Sequence, residues 1–306
     1  MTAGNKNINR LYHHLESGIV IPSGYVSNRN RSDSETYLQI KEKALELEKF
    51  YNESNVIIPD SCGLSKLIKS AKILSDSWLK NDVHNLSNTI LWDSAHLNRV
   101  SDSIFTLRDE KDIKFYLKKL TKGSLDLLQR DNSEAKNFLW ELELLHMLRS
   151  HGVVAILKEP PDIVAEFEGS KIGIACKKIY SENNFEKVLS DGVSQIEREY
   201  DFGIVAINID DLTPPGSLFV ASSQVEMGDE ISKLNDVFIK KHERHFRKYL
   251  STGRILSALV STAVLADLKK ERVRLNNARQ STVWMIPGLT REKTKVFNNF
   301  YNQIMA

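Results

Sequence analysis

The chain has 306 residues, 41% of them hydrophobic and 27% charged, which is enough to bury one large or two modest apolar cores. No stretch reaches the roughly 18 consecutive apolar residues of a membrane span, so we expect a globular, cytoplasmic protein with no membrane partner. Its two cysteines, Cys62 and Cys176, exclude a disulfide framework and a CxxC zinc pair. The formal net charge of +2 neither favours nor excludes a nucleic-acid partner, so local charge has to decide.

The first 130 residues divide into a polar start and a longer stretch with helical periodicity. Residues 1–34 offer little to bury, so we predict a loop or mobile arm there. From residue 35 to about residue 129 the apolar residues recur at helical spacing, as Leu47 and Phe50 do. We therefore predict a mostly helical N-terminal region over residues 1–130, which binds DNA, a partner protein or a second copy of the chain.

The pattern changes after Asp131 to an alternation of helices and short strands. Ser133 directly precedes an apolar helical stripe and is predicted to cap that helix. Strand-like runs and tight turns follow, and they lead into a strand that is apolar on both faces. The predicted elements are a helix from the Ser133 cap to the closing His151-Gly152, strands at 153–157, 163–167 and 171–176, a helix at 185–200 and a strand at 203–209. After a Pro-Pro-Gly break we predict a strand at 218–221, a helix at 229–249, strands at 255–266 and 283–286, and a C-terminal helix.

A carboxylate and a lysine are expected to meet at one end of the predicted hairpin. Strand alternation puts Gly173, Ala175 and Lys177 on one face, and the hairpin can bring Asp162 next to Lys177. A carboxylate there can anchor a hard divalent cation that activates water. Lysine can then orient or deprotonate that water, as phosphodiester hydrolysis requires.

These residues resemble a known motif. Pro161-Asp162, followed thirteen residues after Asp162 by Ala175-Cys176-Lys177, is similar to the signature of the PD-(D/E)xK nuclease superfamily. The tripeptide of that superfamily begins with Asp or Glu, so Ala175 stands where the chemistry needs a carboxylate. The resemblance implies catalytic roles for Asp162, position 175 and Lys177, and metal binding by Asp162 and the backbone carbonyl of Cys176.

The resemblance covers residues 133–209 and implies an α/β fold with a restriction-endonuclease-like αβββαβ core. That core lies in a nuclease-like domain over residues 131–306 that ends in an α/β extension. The implied cofactor is Mg²⁺, with Mn²⁺ as a substitute, and the implied substrate is nucleic acid, DNA in preference to RNA. An endonuclease or exonuclease activity follows, and bacterial antiviral defence is a common role for stand-alone members of the superfamily.

Two helices are expected to complete the site. In the superfamily a Glu from the helix before the first strand often joins the metal site, and Glu143 fits by its spacing of nine residues to Gly152. Glu141 on the same helix is the alternative. On the second helix the resemblance implies a catalytic role for Gln195, and Tyr200 follows it one residue later than in the related proteins.

Ala175 has three interpretations. It is an engineered inactivation of an active nuclease, which we favour, or a natural loss that leaves a non-catalytic module binding nucleic acid or a partner. In the third interpretation, the carboxylate that is missing at position 175 is supplied by another residue, such as Glu166. Loss of one carboxylate weakens metal binding and the positioning of the nucleophile, so this chain is predicted to cleave poorly or not at all.

The predicted helix at 229–249 is amphipathic and basic over its second half. Clustered cations can neutralise phosphates, although a solvated helix face explains them as well. The predicted nucleic-acid-binding residues are Lys178, Lys240, Lys241, Arg244, Arg247 and Lys248.

Overall fold

The computed structural model describes residues 11–14, 20–24, 37–80, 82–270 and 275–305. Over these residues the protein is a mixed α/β structure in which helices flank one open sheet. The helices are α1 (Gln39–Glu53), α2 (Gly63–Leu79), α3 (Asn88–Phe105), α4 (Ile113–Thr121), α5 (Glu134–Ser150), α6 (Phe185–Glu197), α7 (Gln224–Leu250) and α8 (Arg291–Met305). The strands are β1 (Leu11–His14), β2 (Val20–Gly24), β3 (Val154–Lys158), β4 (Asp162–Phe167), β5 (Ser170–Lys178), β6 (Phe202–Asn208), β7 (Leu218–Ala221), β8 (Ser257–Leu268) and β9 (Leu275–Trp284).

The sheet runs in the order β1-β2-β9-β8-β6-β5-β4-β3, and β7 pairs with the C-terminal part of β8. Strands β3, β4 and β5 are antiparallel neighbours joined by short turns. The β4–β5 turn carries Glu168 and Gly169 at positive φ, a backbone conformation that glycine adopts without steric cost. Helix α6 then returns the chain so that β6 pairs with β5 in parallel, as a crossover connection allows.

The two faces of β5 pack against different helices. Ile172, Ile174 and Cys176 belong to an apolar cluster with residues of α5 and α8. Ala175 belongs to another cluster, formed with residues of α6 and α7. The strand alternation predicted for this segment is therefore confirmed, and Ala175 faces the α6 side of the sheet.

Helices α1 to α4 enclose an apolar core that they share with α5. Phe138 and Leu142 of α5 lie in this core, whereas Leu144 and Leu148 of the same helix pack against the sheet. Because both sides of α5 are covered, apolar residues occur almost all round it. This arrangement places α4 beside α5 and next to the turn that precedes β4.

The order helix, three strands, helix, strand that the sequence predicts over residues 131–209 is confirmed, and residues 37–80 and 82–129 are mostly helical. The strand predicted at 283–286 is wrong in its bounds, because β9 pairs with β8 over ten residues and begins earlier. Residues 11–14 and 20–24 were expected in a loop but form strands, since β2 extends the sheet along β9. The rest of the predicted N-terminal arm lies outside the described residues.

Two further observations concern local expectations. Ser133 occupies the N-cap position of α5, but its hydroxyl donates to the carbonyl of Ser124 instead of capping the helix. Its side chain therefore ties α5 to the segment before it. Within the described ranges, no helix is both long and apolar enough to cross a membrane.

Candidate active site

The site begins where β4 and β5 stop pairing. Their last paired residues at this end are Ile163 and Ile174, and one step further the register sets Asp162 opposite Ala175. Directly opposed residues of an antiparallel pair have Cβ atoms about 5 Å apart. A side chain longer than alanine at position 175 would therefore start beside the Asp162 carboxylate.

The Asp162 carboxylate is largely buried and is held by β5. Its Oδ2 accepts a hydrogen bond of 2.6 Å from the backbone N–H of Cys176 and lies 3.9 Å from Lys177 Nζ. Burial raises the pKa of Asp162 to about 6, against the opposing effect of the Lys177 charge and the Cys176 N–H. The backbone of Cys176 thus faces the site, while its thiol lies in the apolar cluster on the other face.

Lys177 is positioned by α6. Its Nζ donates a 2.5 Å hydrogen bond to Gln195 Oε1, so the predicted contact between Gln195 and the site is present. Gly192 makes room for the lysine chain, because a Cβ there would lie 3.3 Å from Lys177 Cε and 3.3 Å from Val205 Cγ1. The lysine can therefore lie along the helix and still reach Asp162.

A second carboxylate, Glu141, lies near Asp162. Burial raises the pKa of Glu141 well above its ordinary value, and the negative charge of Asp162 raises it further. The charges of Lys119 and Lys177 act in the opposite direction. A buried acid whose pKa is raised further by a neighbouring carboxylate is a common feature of functional centres.

Glu143, the glutamate that the sequence favoured, lies in a different cluster. Arg279 Nη2 donates to its Oε2 at 2.6 Å, and Arg99 Nη2 donates to the same oxygen at 3.0 Å. Burial acts to raise the pKa of Glu143, but these two guanidinium groups lower it overall. Residues two apart project about 200° apart around a helix, so Glu141 and Glu143 cannot both face Asp162. The structure therefore replaces Glu143 with Glu141 as the neighbour of Asp162.

Glu166, the alternative source of the missing carboxylate, lies at the far end of the hairpin. It pairs with Lys171 in the strand register, and its Oε1 is 3.7 Å from Lys171 Nζ. Four residues of β-strand separate it from Asp162, which amounts to about 13 Å. Glu166 thus does not fill the place opposite Asp162.

The Lys178 side chain is 4% exposed and is held by neighbours within the protein, and its role in binding nucleic acid stays a prediction. Its Nζ donates to Asn208 Oδ1 at 2.8 Å and pairs with the Asp211 carboxylate. Alternation along β5 turns Lys178 away from the face that carries Lys177. The loop after β6 carries Asp211 and covers Lys178, a contact that no local sequence pattern records.

The basic part of α7 is largely balanced by acidic neighbours. Lys241 lies 2.9 Å from Glu182, and Lys248 lies 3.7 Å from Glu186. Arg247 pairs within its own helix. Nucleic-acid binding by this surface stays a prediction, and it concerns Lys240, Lys241, Arg244, Arg247 and Lys248.

The sequence missed residues that α4 brings to the site. Lys119 Nζ donates a 2.5 Å hydrogen bond to Glu159 Oε1, and both residues influence the pKa of Asp162. Burial raises the pKa of Tyr116, and the charges of Glu159 and Glu141 add to that effect. Lys119 and Glu159 are forty residues apart in the chain, so no local pattern could join them. Tyr200, the other weak match, packs over Gly173, and its hydroxyl lies 3.0 Å from Lys158 Nζ.

The donor atoms of the site suit a hard divalent cation, but one side chain is lacking. Asp162 and Glu141 offer carboxylate oxygens, which Mg²⁺ prefers, and both have raised pKa values that a cation would lower. Across the ranges described, no three or more His, Cys, Asp or Glu side chains are grouped so that they could hold a metal ion.

Comparison with known proteins adds no relative. A scan against protein-family models and a search of the curated proteins both found no match for this chain. What the site does therefore rests on the chemistry of its own residues.

Proposed function

We propose that the protein has a PD-(D/E)xK nuclease fold with a metal-dependent phosphodiesterase site that lacks one carboxylate, at position 175. The register that sets Asp162 opposite Ala175, two residues before Lys177, carries this proposal. The restriction-endonuclease-like assignment is supported by the sheet order β3-β4-β5-β6, with α5 before it and α6 in the crossover. Nucleic acid is the proposed substrate, with DNA favoured over RNA.

Each residue of the proposed site has a separate role in metal binding or catalysis. Asp162, Glu141 and the backbone carbonyl of Cys176 would hold Mg²⁺ or Mn²⁺, in place of the set with Glu143 that the sequence suggested. The ion would polarise the phosphate and lower the pKa of a bound water. Lys177 orients that water and offsets the developing negative charge, and Gln195 fixes the lysine in place.

Alanine at position 175 leaves this chain a poor catalyst. Two carboxylates bind a divalent ion more weakly than three, and the nucleophile is less well positioned. One observation favours the second candidate function, a non-catalytic module that binds nucleic acid or a partner. The Ala175 methyl is fully buried in an apolar cluster, so alanine is well packed where it stands.

Restoring the carboxylate tests the proposal. The Ala175→Glu variant is incubated with duplex DNA, single-stranded DNA and RNA in the presence of Mg²⁺ or Mn²⁺. We expect cleavage that EDTA abolishes, whereas Ala175→Gln, which adds the same volume without charge, stays inactive. The double variant Ala175→Glu/Lys177→Ala should lose the restored activity.

A folded Ala175→Glu protein that cleaves none of the three substrates would overturn the nuclease proposal. A glutamate in a buried position can also prevent folding, so the unaltered chain provides a second test. Its weak binding of Mn²⁺, followed by electron paramagnetic resonance, should disappear in Asp162→Asn and persist in Glu166→Gln. Equal Mn²⁺ binding by both variants would contradict the proposed metal site.

A further inference from the structure

Helix α4 forms a wall beside the candidate site. Its residue Lys119 donates to Glu159, which lies three residues before Asp162. Tyr116, on the same helix, is close enough to Glu141 and Glu159 for their charges to raise its pKa. The helical N-terminal region therefore reaches the site through α4.

The outer surface of α4 is basic and carries an exposed aromatic ring. Lys114 and Lys118 are four residues apart and share one side of the helix, and Lys122 directly follows its last residue. All three are exposed, and none has an acidic partner in the part of the chain that the structure describes. Phe115 beside them is 56% exposed, so its ring is accessible to a ligand.

Phe115 links this surface to the site. The Lys119 ammonium lies 5.0 Å from the centre of the Phe115 ring, one helical turn away. Lys119 therefore lies between the exposed ring and Glu159. The charges of Lys119 and Glu159 also act on Asp162, so Lys119 joins the exposed surface to the candidate site.

The contrast with α7 shows which basic surface suits a polyanion better. On α7, Lys241 and Lys248 have Glu182 and Glu186 as neighbours. A phosphate that approaches that helix meets paired cations and nearby carboxylates. On α4 the charges of Lys114 and Lys118 are not offset in this way within the described residues, so they attract phosphate more strongly.

We propose that α4 is the binding surface for a single-stranded segment of nucleic acid, which it leads into the candidate site; this inference rests on the proposed function. Lys114, Lys118 and Lys122 contact successive phosphates, and an unpaired base stacks on Phe115. The strand is single there because a base inside a duplex has no free face for the ring. Lys119 exchanges its carboxylate partner Glu159 for the phosphate nearest Asp162.

Fluorescence anisotropy on the unaltered chain, with alanine at position 175, tests this inference without any need for catalysis. The probes are a short labelled oligothymidine and a labelled duplex of equal length, each measured over a salt series. The variants are Lys114→Glu/Lys118→Glu on α4 and Lys240→Glu/Lys241→Glu on the competing basic surface of α7. The matched control is Arg291→Glu/Lys295→Glu on α8, which changes two exposed cations four residues apart outside the predicted binding residues. Circular dichroism establishes that each variant is folded.

We expect the unaltered chain to bind the single strand more tightly than the duplex. The α4 variant should lose at least about tenfold in affinity, and its salt slope should fall by about 1.4, the value for two single-strand phosphate contacts. Phe115→Ala should lose about tenfold on the single strand, and Phe115→Trp should keep its affinity. The α8 control should bind like the unaltered chain, and the α4 variant should lose more affinity than the α7 variant.

Several results would overturn the inference. If the α7 variant loses affinity and the α4 variant does not, α4 is the wrong surface, while the proposed function stands because nucleic acid is still bound. If polyglutamate competes as well as oligothymidine, α4 binds an acidic protein segment instead. If the unaltered chain binds neither probe, the inference fails together with the proposed substrate, whereas cleavage by Ala175→Glu reports on the proposed function independently.

Discussion

Asp162 and Ala175 each lie one residue beyond Ile163 and Ile174, the pair at which β4 and β5 stop pairing. The methyl group of Ala175 offers Asp162 neither a hydrogen bond nor a charge. The partners of the carboxylate are the Cys176 N–H and the more distant Lys177 ammonium. Burial consequently dominates, and it raises the pKa of Asp162 to about 6.

The raised pKa of Asp162 predicts how stability changes with pH. The folded state holds this proton more tightly than the unfolded state, in which the pKa is near 3.8. The protonated Asp162 side chain therefore contributes fully to the free energy of unfolding below the unfolded-state pKa of 3.8, and this contribution is lost as the pH rises through about 6. Asp162→Asn removes the titration and keeps an acceptor for the Cys176 N–H. In metal-free buffer with EDTA, we expect the variant to exceed the parent by up to about 3 kcal/mol at neutral pH.

Urea denaturation at a series of pH values measures this difference. The advantage of Asp162→Asn should shrink towards zero near the unfolded-state pKa. Glu166→Gln, at the far end of the same hairpin, serves as the control and should show no such trend. A stability difference that does not depend on pH would show that the Asp162 carboxylate is not destabilised by burial.

The pair Glu141 and Glu143 offers a matched test of which glutamate belongs to the site. Glu143→Gln removes a buried charge that Arg99 and Arg279 share, and we expect a loss of about 3 kcal/mol in the free energy of unfolding. Glu141→Gln removes a carboxylate whose ionisation burial opposes, so stability should stay unchanged or rise. Mn²⁺ binding should be lost in Glu141→Gln and kept in Glu143→Gln. The reverse pattern would restore the sequence-based choice of Glu143.

Local periodicity predicted the parts of the site that one strand or one hairpin determines. Alternation along β5 correctly placed Ala175 and Lys177 on the same face, because the side-chain period of a strand is fixed. The antiparallel register of the hairpin brings Asp162 to the end of β5, as predicted. Gln195 was placed through its resemblance to related proteins, and its contact with Lys177 is present.

The remaining parts depend on packing that no local pattern records. Helix α5 is apolar almost all round, because α1 to α4 cover one side and the sheet covers the other. The sequence therefore could not show whether Glu141 or Glu143 faces Asp162. The sequence pattern predicts Lys178 as a surface cation, but the loop that carries Asp211 covers its side chain. The approach of Lys119 to Glu159 likewise requires the tertiary fold.

Gly192 is expected to matter for catalysis more than for stability. Alanine favours a helix over glycine by about 1 kcal/mol, so Gly192→Ala should not weaken α6. Its added Cβ, however, would lie 3.3 Å from Lys177 Cε, and the flexible lysine would move away from Gln195. In the Ala175→Glu background we expect cleavage to fall by about tenfold or more while nucleic-acid binding is unchanged.

Single-turnover cleavage and anisotropy, measured on the same preparations, separate these two effects. Ser190→Ala on the same helix is the control and should cleave at the rate of its parent. If Gly192→Ala cleaves at the parental rate, Lys177 does not need the space that Gly192 provides.

Glu159 is expected to weaken the binding of nucleic acid in the unaltered chain. Its carboxylate holds Lys119 and adds a negative charge near Asp162, and both effects oppose an approaching phosphate. Glu159→Gln should therefore raise the affinity for single-stranded DNA by about threefold to fivefold at low salt and steepen its salt dependence. Lys119→Met should lower the affinity. If Glu159 acts by occupying Lys119, the double variant should bind like Lys119→Met alone, because the two residues are coupled. A lower affinity of Glu159→Gln would instead mean that the carboxylate positions Lys119 for the phosphate, and equal affinities in all variants would remove Lys119 from the binding path.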